Sequence, residues 1–196
     1  EVTAGHTFYM EELGVAAGDA VAYYARAADN DSGGGKQATS DMYFLRIRPF
    51  GKDFKPATSM AGGGGGGGGG GAEVGALSEA QRQIIAATFN TVREKRTLSA
   101  EKLRESSVVL ALSQGRLREQ VEGLVSRMNS RLVAPDPSFQ KIAEVLPLAV
   151  EEMKAAETKL QQRSPDGALP SEQKALQYLQ QAEEEYETQV QTRNQS

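Results

Sequence analysis

Four places in the chain carry residue types that could do chemistry. The first is Asp29-Asn30-Asp31-Ser32-Gly33-Gly34, where carboxylates alternate with other residues ahead of a glycine pair. Oxygen ligands on alternate positions are how an EF-hand loop wraps calcium, and Asp41 is a further carboxylate that could join Asp29 and Asp31. The twelfth position, where a bidentate Glu closes such a loop, is Ser40 here. Strands rather than helices flank the run, so a solvated hairpin loop competes with a calcium site. The second place is Gly33-Gly34-Gly35-Lys36. A Walker loop needs Gly at position 30 and Ser or Thr at 37, where Asn30 and Gln37 stand, so phosphate binding is rejected. The third is His6, the single histidine, which has no Gly-x-Ser-x-Gly nucleophile turn to serve. The fourth is the cluster Glu183, Glu184, Glu185 and Glu187, which reads as a solvated helix face. The chain has no cysteine, which excludes disulfides, thiolate metal sites and cysteine nucleophiles. Catalysis is not expected, and calcium is the one cofactor the residues suggest.

Charge narrows the partners. Residues 1–61 carry 6 basic and 8 acidic side chains and residues 72–196 carry 16 and 18, so each part is at −2. Neither has the basic face that nucleic acid or an anionic membrane surface would need. The apolar content of 39% and mean hydropathy of −0.48 point to an elongated, well-solvated molecule. No apolar run approaches the ~20 residues of a membrane helix. The chain begins with Glu1 and opens almost directly on a strand, as a piece of a longer protein would.

What must position these residues divides at ten consecutive glycines, Gly62 to Gly71. Such a run has nothing to bury and a large backbone entropy to lose; as a coil it spans roughly 17–19 Å. The expected organisation is a β segment over 1–61, a flexible linker over 62–76 and a helical domain over 77–196. In the first segment, Thr7-Phe8-Tyr9-Met10 reads as a strand. Val21 and Tyr23 alternate with Tyr24 and Arg26, and Tyr43, Leu45 and Ile47 alternate with the outward Phe44, Arg46 and Arg48. This is the pattern of a half-exposed antiparallel meander. Asp19, Val21, Tyr23 and Ala25 stand at the spacing of strand F of an immunoglobulin-like sandwich, with Ala25 at the cysteine position. A hairpin with a buried Tyr explains the same spacing.

The second segment reads as four helices, about 78–96, 98–133, 137–162 and 170–192. Ser78 with Gln81 offers a capping box, Ser99 a second cap, and Asp136-Pro137 a helix start. Leu103, Leu110, Leu117 and Leu124 recur every seven residues, but the complementary heptad positions include Ser107 and Gln114. A half-apolar seam favours an antiparallel bundle or coiled-coil-like arm over a parallel zipper. Pro147 should kink the third helix, and Ser164-Pro165-Asp166-Gly167 should form the turn to the fourth. The fold class is therefore α+β: a partial immunoglobulin-like meander, a poly-Gly linker and an antiparallel helical bundle. Leucine stripes are core first. Where a thin arm exposes them, Leu103, Leu110, Leu117, Leu124, Phe139, Leu176, Leu179 and Tyr186 are the candidates for meeting a protein partner or a second copy.

The order of segments resembles a family. Gly18-Asp19-x-Val21-x-Tyr23-Tyr24-Ala25-Arg26-Ala27-x-Asp29-Asn30, then Ser40-Asp41-x-Tyr43-Phe44 and Arg48-Pro49-Phe50, precede the glycine spacer and Leu77-Ser78-x-x-Gln81-x-x-Ile84-Ile85. Ala168-Leu169-Pro170-x-Glu172-Gln173-x-Ala175-Leu176 follows near the end. Together they resemble uncharacterised large bacterial envelope proteins, a domain-of-unknown-function family with an immunoglobulin-like region and a long helical periplasmic tail. The resemblance implies a place on the periplasmic side of the inner membrane, with membrane attachment outside this stretch, and brings no catalytic residues. The expectation is a non-enzymatic structural or interaction segment. The alternatives are a calcium-modulated adhesion module built on Asp29, Asp31 and Asp41, and a peptide-binding, tetratricopeptide-like hairpin over Phe139–Val190.

Overall fold

The computed structural model describes residues 5–16, 19–29, 36–47, 69–131 and 137–193, with the side chains of 69–72, 131, 137–139 and 188–193 left out of account. Four helices, α1 (Gly69–Glu94), α2 (Ala100–Arg131), α3 (Pro137–Gln161) and α4 (Pro165–Arg193), hold most of it. Contacts join α1 with α2, α2 with α3, α3 with α4, and α4 back to α1. Cross-helix pairs fix the directions. Gln81 meets Gln114, Arg118 meets Glu157, Lys174 meets Glu152, and Thr88 meets Glu172. This is an up–down–up–down four-helix bundle, the arrangement short connections favour. The α+β fold with a helical bundle read from the sequence is the fold observed.

The heptad leucines are its core. Leu110, Leu117, Val121 and Leu124 of α2 are buried with Ile84 and Ile85 of α1, Ile142, Leu146, Met153 and Leu160 of α3, and Leu179 of α4. The polar heptad positions are satisfied inside the bundle. Ser107 donates its hydroxyl to the Leu103 carbonyl at 2.7 Å. Gln114 and Gln81, both fully buried, form a reciprocal amide pair with N···O distances of 3.0 and 3.1 Å. Two amides that satisfy each other remove the desolvation cost either would carry alone.

Several boundaries differ from the expected ones. Helix α1 starts nine residues before Ser78, so Gly69–Ala76 belongs to a helix rather than to the linker, and Gly62–Gly68 lie outside the described residues. Val74 and Leu77 are buried in the core, and this burial outweighs the roughly 1 kcal/mol that each glycine costs a helix. Ser78 is therefore an interior residue and Gln81 a pairing residue; there is no capping box at this point. Ser99 does cap α2, its hydroxyl accepting from the Lys102 N–H at 3.3 Å. Helix α3 runs through Pro147, whose missing donor falls on the exposed side. The expected turn at Ser164–Gly167 is the first turn of α4, with the Ser164 carbonyl accepting from Gly167 and Ala168 and with Pro165 at the first helical position. The reversal lies just before it. Arg163 has φ of 59°, and the N–H groups of Ser164 and Arg163 reach back to the carbonyls of Lys159 and Leu160. That is a Schellman closure with arginine where glycine is usual.

The β segment is one bulged hairpin. Strand β1 (Ala20–Tyr23) pairs antiparallel with β4 (Tyr43–Arg46), and β2 (Arg26–Ala28) pairs with β3 (Gln37–Thr39). Val21 faces Leu45 and Ala27 faces Ala38, so the return strand carries one extra residue between the two ladders. Ser40 repairs the gap. Its N–H donates to the Ala25 carbonyl at 2.8 Å, and its hydroxyl accepts from the Ala25 N–H at 2.9 Å. Thr7–Met10 is not a strand: Gly5–Tyr9 have no regular structure and Met10–Gly14 form a turn. The segment attaches through rings instead, with Phe8 against Tyr23 at 5.3 Å and Tyr23 stacked on Tyr43 at 5.6 Å.

Candidate functional site

The glycine spacer predicts β and helical parts free of each other, and the strand alternation predicts an outward Arg46. Instead the hairpin sits along α1 and α4. Arg46 turns inward and binds Glu183 of α4 at 2.8 Å, with Glu187 at 3.7 Å. The cause is electrostatic: Glu183 is largely buried and requires a counter-charge. On α1, Arg93 donates to the Thr39 carbonyl and to Asp41, and Phe89 takes the Tyr24 ring at 4.8 Å. Two clefts flank this contact. One of about 590 Å³ runs between β4 and α1, past Arg46, Glu79 and Arg82. The other, about 480 Å³, lies between β1 and the α4 residues Gln173, Lys174 and Gln177.

Of the carboxylates singled out for calcium, Asp29 and Asp41 are not brought together. Asp31 lies outside the described residues. Asp29 is at the tip end of the β2–β3 ladder and Asp41 at its base, about 13–16 Å apart at strand rise. Asp41 is instead the partner of Arg93 at 3.1 Å. Among the described residues no group of three His, Cys, Asp or Glu is placed to hold a metal. The acidic run of α4 is not a uniformly solvated face either: Glu183 binds Arg46, and Glu185 binds Lys141.

The residues expected to meet a partner are mostly inside the bundle. Leu110, Leu117, Leu124, Leu176 and Leu179 are buried, while Leu103 and Tyr186 are half-buried; the Phe139 side chain lies outside the described set. Close packing of four helices consumes the stripe that a thin arm would have exposed. A cleft of about 390 Å³ remains between α2 and α3, lined by Val125, Pro147 and Val150 with Glu122 and Glu151 at its rim.

The surface that the stripe does not account for is on the other side of α2. Val108, Val109 and Leu112 are 50%, 56% and 58% exposed, side by side on one helical turn. The signal was present in the chain. Val108 to Leu112 are five consecutive apolar residues, and at 100° per residue such a run encircles the helix. Leu110 and Ala111 take the core side and the other three must face water. Contiguous exposed aliphatic side chains mark interaction surfaces more often than isolated ones do.

One titratable group is strongly perturbed. Glu172 of α4 is fully buried, and burial pushes its carboxyl up to about 8, against the smaller opposing effect of the Thr88 hydroxyl that donates to it at 2.8 Å. Its second oxygen has no partner. Glu172 lines neither hairpin cleft. Its protonation bears directly on stability, because the charged form has to be carried inside the bundle. At the bundle end, Lys95 binds Asp166 at 2.6 Å and holds its carboxyl below the usual range.

No helix among the described residues is long and apolar enough to cross a membrane. No family model, curated protein or solved structure matches the chain, so the molecule's own surfaces carry what can be said of its function.

Proposed function

We propose that the chain is a non-enzymatic structural and interaction segment of a bacterial cell-envelope protein, and that it engages other protein chains through the outward face of α2. One observation carries this reading: Val108, Val109 and Leu112 form a contiguous exposed aliphatic surface on a rigid helix. Burying such side chains against a partner is worth about 1.5–3 kcal/mol each when complete, enough for a reversible contact. The hairpin, anchored through Arg46 and Arg93, braces the opposite α1–α4 side of the bundle. Placement on the periplasmic side of the inner membrane, with attachment outside this stretch, rests on the segment order from Gly18 to Leu176. The test is a photo-crosslinking residue at Leu112, with a second at the exposed Gln83 of α1 as control. The expected result is a discrete protein adduct from position 112 and none from position 83. Equal or absent labelling from both positions overturns the reading.

A further inference from the structure

We infer that the partner of the outward α2 face is a second copy of this chain, packed antiparallel about a two-fold axis midway between residues 110 and 111. The inference rests on the reading of that face as an interaction surface and adds the identity of what covers it. Taking 100° per residue, Glu105, Val108, Val109, Leu112 and Arg116 fall on one strip of α2, opposite the buried strip of Leu110, Gln114, Leu117 and Val121. The strip is self-complementary when reversed. A two-fold axis at its centre sets Val109 on Leu112 of the second copy, twice, and Glu105 beside Arg116 of the second copy, twice. Such an interface is isologous, the commonest way identical chains pair.

The charges specify this direction. Glu105 and Arg116 are exposed, and neither side chain has an ion-pair or hydrogen-bond partner among the described residues. The neighbouring Arg118, by contrast, is committed to Glu122 and Glu157. Parallel packing of two α2 helices would place Glu105 against Glu105 and Arg116 against Arg116, and like charges across an interface oppose association. Antiparallel packing turns both clashes into pairs around the aliphatic centre. The ends of the contact, where Glu101 and Lys102 lie near Glu119 of the second copy, are mixed in sign and add no direction.

Sedimentation equilibrium on the full chain, from low micromolar to near-millimolar concentration, tests the inference. A monomer–dimer equilibrium is expected that strengthens at low salt. Glu105→Arg alone, and Arg116→Glu alone, should each raise the dissociation constant at least about tenfold. The double exchange, Glu105→Arg with Arg116→Glu, should restore it to within about threefold. Both residues are exposed and without side-chain partners among the described residues, so the helical circular dichroism and melting temperature, both read on protein dilute enough to be monomeric, should stay unchanged and report folding independently. A chain that stays monomeric throughout, or a double exchange that restores nothing, overturns the pairing. The crosslinker at Leu112 separates this failure from that of the function itself. A monomeric chain that gives an adduct with a different protein keeps the interaction surface and loses the self-pairing; no dimer and no adduct removes both.

Discussion

Replacing Glu172 by Gln should stabilise the protein, by an amount that grows as pH rises. The carboxyl is sealed between α4 and α1, with Thr88 donating to one oxygen and the other oxygen unpartnered. Its pKa in the fold is about 8, against 4.5 for the free group. A raised carboxyl pKa means that the folded state holds the proton more tightly than the unfolded one. The stabilisation this gives is complete below pH 4.5, declines as pH rises, and is lost above pH 8. Each pH unit inside that window is worth at most about 1.4 kcal/mol, which makes about 3 kcal/mol already lost at pH 7. Glutamine keeps the acceptor for Thr88, matches the shape of the protonated acid, and has no proton to lose. Urea unfolding followed by circular dichroism at intervals from pH 5 to 8.5 measures both proteins. The wild type should weaken steadily relative to Glu172→Gln, which should be about 3 kcal/mol more stable near neutrality. Parallel pH profiles would refute the reasoning, because they would mean that Glu172 titrates alike in the folded and unfolded chains.

Three further outcomes come from the same packing. Gln81→Leu or Gln114→Leu alone should cost about 1–3 kcal/mol by orphaning a buried amide, while the double replacement should recover part of that loss, as a double-mutant cycle in urea unfolding would read. Arg163→Gly should raise stability by up to about 1 kcal/mol, seen as a higher urea midpoint, because it relieves a left-handed backbone position that glycine adopts freely. Arg46→Met should leave Glu183 without its counter-charge and loosen the hairpin. Hydrogen exchange should then quicken at residues 20–23 and 43–46 while the bundle amides keep their protection.

Much of the bundle was legible because it is written in local and periodic features. The seven-residue leucine spacing, Ser99 as a cap and Pro137 as a first helical residue each act within one or two turns of helix. What escaped were features decided by a distant partner. Val74 and Leu77 extend α1 back to Gly69 because a core is there to receive them. Arg46 looked like an outward strand residue until Glu183, far along the chain, turned it inward. Gln114 looked like a gap in a seam until Gln81 completed it. Most of the leucines read as candidates for a partner lie in the core for a related reason. Periodicity identified the right stripe of α2, but whether that stripe meets its own chain or another depends on how many helices close around it. The exposed Val108, Val109 and Leu112 are the residue of that division, visible beforehand only as an apolar run too long for one face.

The central claim is that α2 spends its leucine stripe on its own core and offers the opposite face to a partner. The chain lacks cysteine, so a single introduced thiol reports one position. The deciding measurement is the thiol-labelling rate of Leu112→Cys against Leu117→Cys in the folded protein. Labelling at 112 should run near the rate of a free thiol and slow as protein concentration rises; labelling at 117 should be slower by orders of magnitude at every concentration. Equal rates at the two positions, or a faster rate at 117, would contradict the account.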